Sequence, residues 1–168
     1  MNIVIEGCDA AGKSTLINAL VTRIGWKVIP SEGPPKGPGE MNQRVMRYRK
    51  YHYVLFDRHP CVSQPIYAMI RGARDDIDPS LVEEFYKSKP FFVYCRPDAE
   101  GFKRHTFNPA ADNPEHVKEV EQNYQRLLGN YEAWAYNHAH FIYRLGQRFE
   151  ETVDFLSAIA DRAISKGW

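Results

Sequence analysis

Gly7-Cys8-Asp9-Ala10-Ala11-Gly12-Lys13-Ser14 fits the pattern G-x-x-x-x-G-K-[ST]. It stands directly after a β-branched run, NIVIE at 2–6, and before a helical stretch, STLINALVTRI, with Leu16, Ile17, Leu20, Val21 and Ile24 on one face. Strand, glycine-bearing loop and helix is the setting in which this pattern has a mechanism. A polyphosphate carries several negative charges, which such a loop meets with consecutive backbone N–H groups, the positive end of a helix dipole and one ammonium. The predicted cradle is Gly7, Ala10, Ala11, Gly12, Lys13, Ser14 and Thr15. Its glycines admit close backbone approach, Lys13 reaches the β/γ-phosphates, and the Ser14 hydroxyl binds Mg²⁺.

Outward from the loop, Gly25 closes the first helix, and WKVIP at 26–30 predicts a second short strand running into a Pro/Gly segment, PSEGPPKGPG. A polar, basic helix over about 40–50 leads to a third strand, YHYVLF at 51–56, with Asp57 at its end. Asp78-Pro79 starts a short helix through Tyr86, and PFFVYC at 90–95 is a fourth strand. Asn113-Pro114-Glu115 starts a long helix whose apolar stripe runs from Val117 through Leu127 and Tyr131 to Trp134. HFIYRL at 140–145 and a helix from Thr152 to Ile164 complete the chain. Strands separated by helices predict a mainly parallel sheet covered on both faces, an α/β three-layer fold, and the irregular stretch 97–112 reads as a lid.

The 168 residues, 43% of them hydrophobic, fit one domain spanning 1–168 that buries roughly 70% of its unfolded surface without disulfides or structural metal. The three cysteines, Cys8, Cys61 and Cys95, are far apart and outside any CxxC pair, which argues for the cytoplasm and against a zinc site. A net charge of +1 lacks the basic excess of bulk DNA binding, so a nucleic-acid partner is disfavoured. No apolar run nears the roughly 20 residues of a membrane span, and the N-terminal run has no charged head of a secretory signal. No guanine-reading N-K-x-D segment is present, which leaves a small transferase as the favoured reading.

Asp57-Arg58 places a carboxylate and a guanidinium at the carboxyl edge of the sheet, where ligands sit in open α/β folds. The carboxylate can hold Mg²⁺ or its water, and the planar Arg fork can clamp the oxygens of a transferred phosphoryl group. Glu32, past the second strand, can orient or deprotonate an acceptor hydroxyl. Lys103, Arg104 and His105 lie in the lid segment. Arg44, Arg47 and Arg49, with Tyr48, either form an acceptor wall or belong to a solvated helix face. The remaining histidines have no metal-like spacing.

With IEGCDAAGKST at 5–15 and FDRHPCVSQPIYA at 56–68, the chain resembles the thymidylate kinase-like P-loop nucleotide kinases over most of its length. The resemblance implies a five-stranded parallel sheet in the order 2-3-1-4-5, Mg-ATP as donor and a deoxynucleoside monophosphate as small-molecule acceptor. It further implies that Asp9 meets the acceptor sugar, that Asp57 and Arg58 lie near metal and phosphates, and that Ser63 and Tyr67 belong to the acceptor side. Arg104 takes the part of the loop arginine that some members carry where Ala10 stands here, Arg144 to Gln147 hold the adenine, and helices form a homodimer.

The sequence departs from the family pattern in places. Only 44 positions separate Lys13 from Asp57, SEGPPKGPG stands where the family has R-E-P-G-G, His59 replaces a Tyr or Phe, and Ser63 lies one position late. The departures gather in the acceptor region and leave three acceptor classes open: a nucleoside monophosphate with thymidylate as default, a deoxynucleoside with Glu32 as base, and a nucleic-acid hydroxyl or modified base. A non-enzymatic nucleotide-binding module needs the loop but has no use for Asp57, Arg58 and a basic lid together.

Overall fold

The computed structural model describes residues 1–72, 77–98 and 114–168. Five strands, β1 (Ile3–Glu6), β2 (Lys27–Ile29), β3 (Val54–Asp57), β4 (Phe91–Arg96) and β5 (Phe141–Arg144), form one sheet in the order β2-β3-β1-β4-β5, every neighbouring pair parallel. Among the described residues, six helices accompany them: α1 (Lys13–Ile24), α2 (Glu40–Tyr48), α3 (Pro60–Arg71), α4 (Pro79–Lys87), α5 (Pro114–His138) and α6 (Phe149–Lys166). The strand order is the one that the family resemblance implies.

Strand alternation sorts the side chains into two cores. Ile3 and Ile5 of β1, with Leu55, Val93 and Tyr143, face Leu16, Ile17 and Leu20 of α1 and Val153, Leu156 and Ala160 of α6. Val4, Phe56, Phe92 and Tyr94 face the other way, onto Met41, Val45 and Tyr48 of α2, Ile66, Tyr67 and Ile70 of α3, Phe85 of α4, and Leu127 and Tyr131 of α5. Burial on both faces explains why the strands read as unbroken apolar runs. All three cysteines are buried and none forms a disulfide. No described helix is long and apolar enough to cross a membrane.

The helix starts follow their local chemistry. The Asp78 carboxylate accepts from the Ser80 N–H at 2.8 Å with Pro79 at the first helical position, as the sequence predicts. α3 departs from expectation, because no helix is predicted over 60–71. Its N-cap is His59, whose Nδ1 accepts from the Cys61 N–H at 3.3 Å, and it carries Pro60 at its start and Pro65 in its interior. An interior proline normally argues against a helix. Here eight buried residues, Tyr67 and Ile70 among them, anchor α3 against the sheet and outweigh that cost. β3 likewise starts at Val54 and not at Tyr51, because Tyr53 has φ 55° and breaks the extended run.

Candidate active site

The loop after β1 carries the backbone that the motif requires. Gly7 has φ 145°, and a Cβ placed there would lie 2.4 Å from the Cys95 carbonyl oxygen of β4, so only glycine fits. Gly12, at φ 76°, caps α1 without a side-chain hydrogen bond, and no acidic residue stands in the helix's first turn. The first turn therefore keeps its N–H groups and its positive dipole end for an anion. A Cβ on Gly12 would meet Leu145 Cδ1 at 2.5 Å, which shows how closely the segment after β5 packs on the loop. Arg144, Leu145 and Gln147 line a cleft there with Arg96 and Leu128.

Lys13 is buried and its Nζ donates to the Cys8 carbonyl at 2.8 Å, holding the ammonium over the loop. Burial, and after it the nearby Arg58 charge, lowers its pKa. Ala10 and Ala11 complete the loop, while Ser14 and Thr15 are exposed on the first turn of α1. The Ser14 hydroxyl and the Asp57 carboxylate at the end of β3 are hard oxygen donors. No group of three or more His, Cys, Asp or Glu is assembled for a metal among the described residues. Few protein oxygens beside a phosphate cradle is the donor set that Mg²⁺ takes, with substrate phosphates and water filling its shell.

Beside the loop, Arg58, Asp9 and Tyr67 form one cluster. Arg58 Nη2 donates to Asp9 Oδ1 at 3.0 Å and its Nε to the Gly7 carbonyl at 3.2 Å, while the Tyr67 hydroxyl donates to Asp9 Oδ2 at 2.8 Å. Burial acts to raise the Asp9 pKa, but Arg58, Lys13 and the Tyr67 hydroxyl outweigh it and hold the carboxyl well below the usual range. Two guanidinium groups lie over the Tyr67 ring, Arg58 at 5.2 Å and Arg71 at 5.5 Å from its centre. Beside the cluster opens a cavity of about 50 Å³ lined by Ser31, Gly33, Met41, Ser63, Gln64 and Arg71 together with Arg58 and Tyr67. Ser63 is turned toward its own helix, donating to the His59 carbonyl at 3.1 Å.

Glu32 lies on the same edge and is ion-paired with Arg47, while the Tyr48 hydroxyl donates to its Oε1 at 2.5 Å. The Tyr48 hydrogen bond and the Arg47 contact lower its pKa. Of the two readings of this basic helix, a solvated face is corrected for Arg44 and Tyr48, which are both buried, while Arg47 and Arg49 are exposed. Arg44 is drawn in because its fork is filled: Nε donates to Glu40 at 3.1 Å and Nη1 to the Gly33 carbonyl at 2.5 Å, so it clamps the Gly/Pro segment onto α2. Arg104, with lid residues 99–112, lies outside the described residues.

Sequence reasoning missed one group. Glu6, the last residue of β1, is fully buried; it accepts the His59 N–H on Oε1 at 2.7 Å and the Tyr131 hydroxyl on Oε2 at 3.3 Å. Burial pushes its pKa up to about 7, against the lowering effects of the His59 N–H, Arg58 and Lys13. The only signal was a charged residue inside an otherwise apolar strand.

No protein-family model matches the sequence, and no curated protein matches it. Solved structures do. The YorR protein from Bacillus subtilis, in complex with phosphorylated GDP, superposes with a TM-score of 0.71 at 20% identity over 96% of each chain. Deoxyadenosine kinase from M. mycoides, with dCMP and dCDP bound, gives 0.62 at 16% identity over 96% of this chain and 99% of that one. Thymidylate kinase from Candida albicans gives 0.58 at 15% identity over 96% and 91%. By its strand order, its loop and these likenesses, the chain has the fold of the P-loop nucleotide kinases.

Proposed function

We propose that the protein is a kinase that transfers the γ-phosphoryl group of ATP to a (deoxy)nucleoside monophosphate, with a thymidylate-like acceptor as the default. The observation that carries this reading is the Asp9–Arg58–Tyr67 cluster, which joins the phosphate loop to a cavity on the acceptor side. Phosphoryl transfer asks the protein for positioning and charge neutralisation more than for covalent chemistry, and those are what this set of groups supplies.

Each residue then has a stated part. The backbone of Gly7 to Thr15 binds the donor phosphates, and the Lys13 ammonium leaves the Cys8 carbonyl for a phosphate oxygen. Arg58 spans the loop and the acceptor side, with its fork matched to phosphoryl oxygens. Asp9, kept ionised, accepts from a sugar hydroxyl, and Ser63, Tyr67 and the clamp formed by Arg44 shape the acceptor cavity. Arg144 and Gln147 flank the donor base. Ser14 and Asp57 would hold Mg²⁺, which when bound neutralises charge on the phosphate oxygens.

A monophosphate acceptor arrives ionised and needs no base. A nucleoside acceptor needs Glu32 as base, and the Tyr48 and Arg47 contacts make that carboxylate a weaker one. Release of ADP against a panel of nucleosides, nucleoside monophosphates and single-stranded oligonucleotides tests the assignment. Turnover with monophosphates supports it. Turnover with nucleosides or DNA alone overturns it, and ATP binding with no acceptor turned over sinks the kinase reading altogether.

A further inference from the structure

A carboxyl as buried as that of Glu6 is costly unless polar partners meet it. Alternation along β1 sends Glu6, with Val4, to the face covered by α3 and α5, where both of its partners are. One is the N–H of His59, the residue directly after Arg58. Arg58 has φ 65°, the left-handed region, which a non-glycine residue keeps only where its surroundings hold it.

The end of β1 holds that turn twice. The Arg58 N–H donates to the Ile5 carbonyl at 3.0 Å, and the next N–H, that of His59, donates to Glu6. From this turn the Arg58 guanidinium reaches Gly7 and Asp9, and the His59 ring, capping α3, stacks on Phe85 at 3.9 Å. The second Glu6 oxygen takes the hydroxyl of Tyr131 on α5. We propose that Glu6 is a positioning residue: by holding the His59 N–H and the Tyr131 hydroxyl together, it fixes the left-handed turn that aims Arg58 at the phosphate loop, and it fastens α5 to the same point. Turnover as a readout rests on the kinase reading above.

Glu6→Met removes both acceptor oxygens at similar volume, whereas Glu6→Gln keeps an oxygen for the His59 N–H. Glu6→Met is expected to lower kcat about 10- to 100-fold while the dissociation constant for a fluorescent ADP analogue stays within about twofold. Glu6→Gln should restore kcat to within about threefold of wild type, since the amide oxygen replaces the carboxylate acceptor. In an Arg58→Ala background Glu6→Met should cost nothing further, because it acts through that guanidinium. Losses that multiply in the double variant, or an unchanged kcat in folded Glu6→Met, overturn the proposal.

Should Glu6→Met fail to fold, Tyr131→Phe carries the test. About a threefold loss of kcat that vanishes in the Arg58→Ala background supports the proposal, and a loss that persists there overturns it. If the wild type turns over no acceptor, the kinase reading falls while the placement of Arg58 is still measurable by NMR. Arg58 Nε–H exchange should quicken about tenfold or more in Glu6→Met but not in Glu6→Gln, and equal rates in all three forms reject the role of Glu6.

Discussion

The phenol of Tyr48 donates to Glu32 Oε1 at 2.5 Å, and the same oxygen pairs with Arg47, so the carboxylate that could serve as a base is held in its ionised form by two donors. A true general base contributes about 10²- to 10⁴-fold to the rate, and its loss removes the acid limb of the pH–rate profile. A carboxylate that only orders the acceptor loop contributes less. Glu32→Gln is therefore expected to lower kcat/KM by about tenfold or less, with the profile between pH 6 and 8 unchanged in shape. A loss of a hundredfold or more that also removes the acid limb would favour a nucleoside acceptor.

On the proposed reading, Lys13 is the ammonium on which charge neutralisation depends. It is buried against the loop, so its replacement removes a cation from a site that water screens poorly. Lys13→Ala should reduce kcat by about 10³-fold or more, the equivalent of several kcal/mol of transition-state stabilisation. Far-UV circular dichroism should stay close to wild type and the melting profile should shift only modestly, because the fold loses one hydrogen bond, to the Cys8 carbonyl. Retained turnover in a folded variant refutes the reading of the loop.

The loop of this candidate site was legible in the sequence and the residues packed beside it only in part, for reasons that differ by residue. Gly7 to Ser14 could be read because the pattern, its strand and its helix all lie within one local stretch. Asp57-Arg58 could be read because a charged pair ending an apolar strand marks the sheet edge. Glu6 was marked only as a charge ending an apolar strand; the partners for which it is buried lie 53 and 125 positions away, where nothing local points to them. Tyr131 sat in a stripe that reads as plain core, which it also is, stacking on Tyr94 at 6.1 Å. Arg44 stayed open between an acceptor wall and a solvated face because helix polarity says nothing of the backbone carbonyls that a neighbouring Gly/Pro loop will present. α3 was concealed by Pro60 and Pro65, whose local cost is outweighed by packing that propensity does not see.

Two glycines separate steric demand from backbone demand. Gly7→Ala drives a methyl to 2.4 Å from the Cys95 carbonyl, a rigid strand oxygen, whereas Gly25→Ala meets nothing within 4 Å and only inherits φ 69°. Gly25→Ala should cost about 1 kcal/mol of stability and leave nucleotide affinity alone. Gly7→Ala should cost about 2 kcal/mol or more and weaken binding of an ADP analogue at least tenfold, because the loop must move away from β4. Thermal melts with parallel binding titrations check both, and equal effects of the two substitutions would contradict the close approach of β1 and β4.

His59 and Glu6 touch through one hydrogen bond and titrate in opposite senses. Burial lowers the His59 pKa from 6.5 to about 3, so as pH falls the unfolded chain binds that proton first; the contribution of His59 to stability is complete above pH 6.5 and is lost between 6.5 and 3. Burial raises Glu6 from 4.5 to about 7, so the folded chain binds that proton first; its contribution is complete below pH 4.5 and is lost as pH rises through 7. Between pH 4.5 and 6.5 the two slopes, each at most about 1.4 kcal/mol per pH unit, oppose each other. The wild type should therefore show a nearly flat melting temperature over that window and a steep fall only below pH 4.5, where the depressed Asp9 adds its own loss. Glu6→Gln removes one of the opposing slopes and keeps the hydrogen bond to His59. Its stability should begin to fall at pH 6.5, by up to about 1.4 kcal/mol per unit, while at pH 8 it should exceed the wild type, having no buried charge to ionise. Denaturant melts of both proteins between pH 4 and 8 measure the difference directly, and parallel curves would show that the two groups do not titrate as their burial requires.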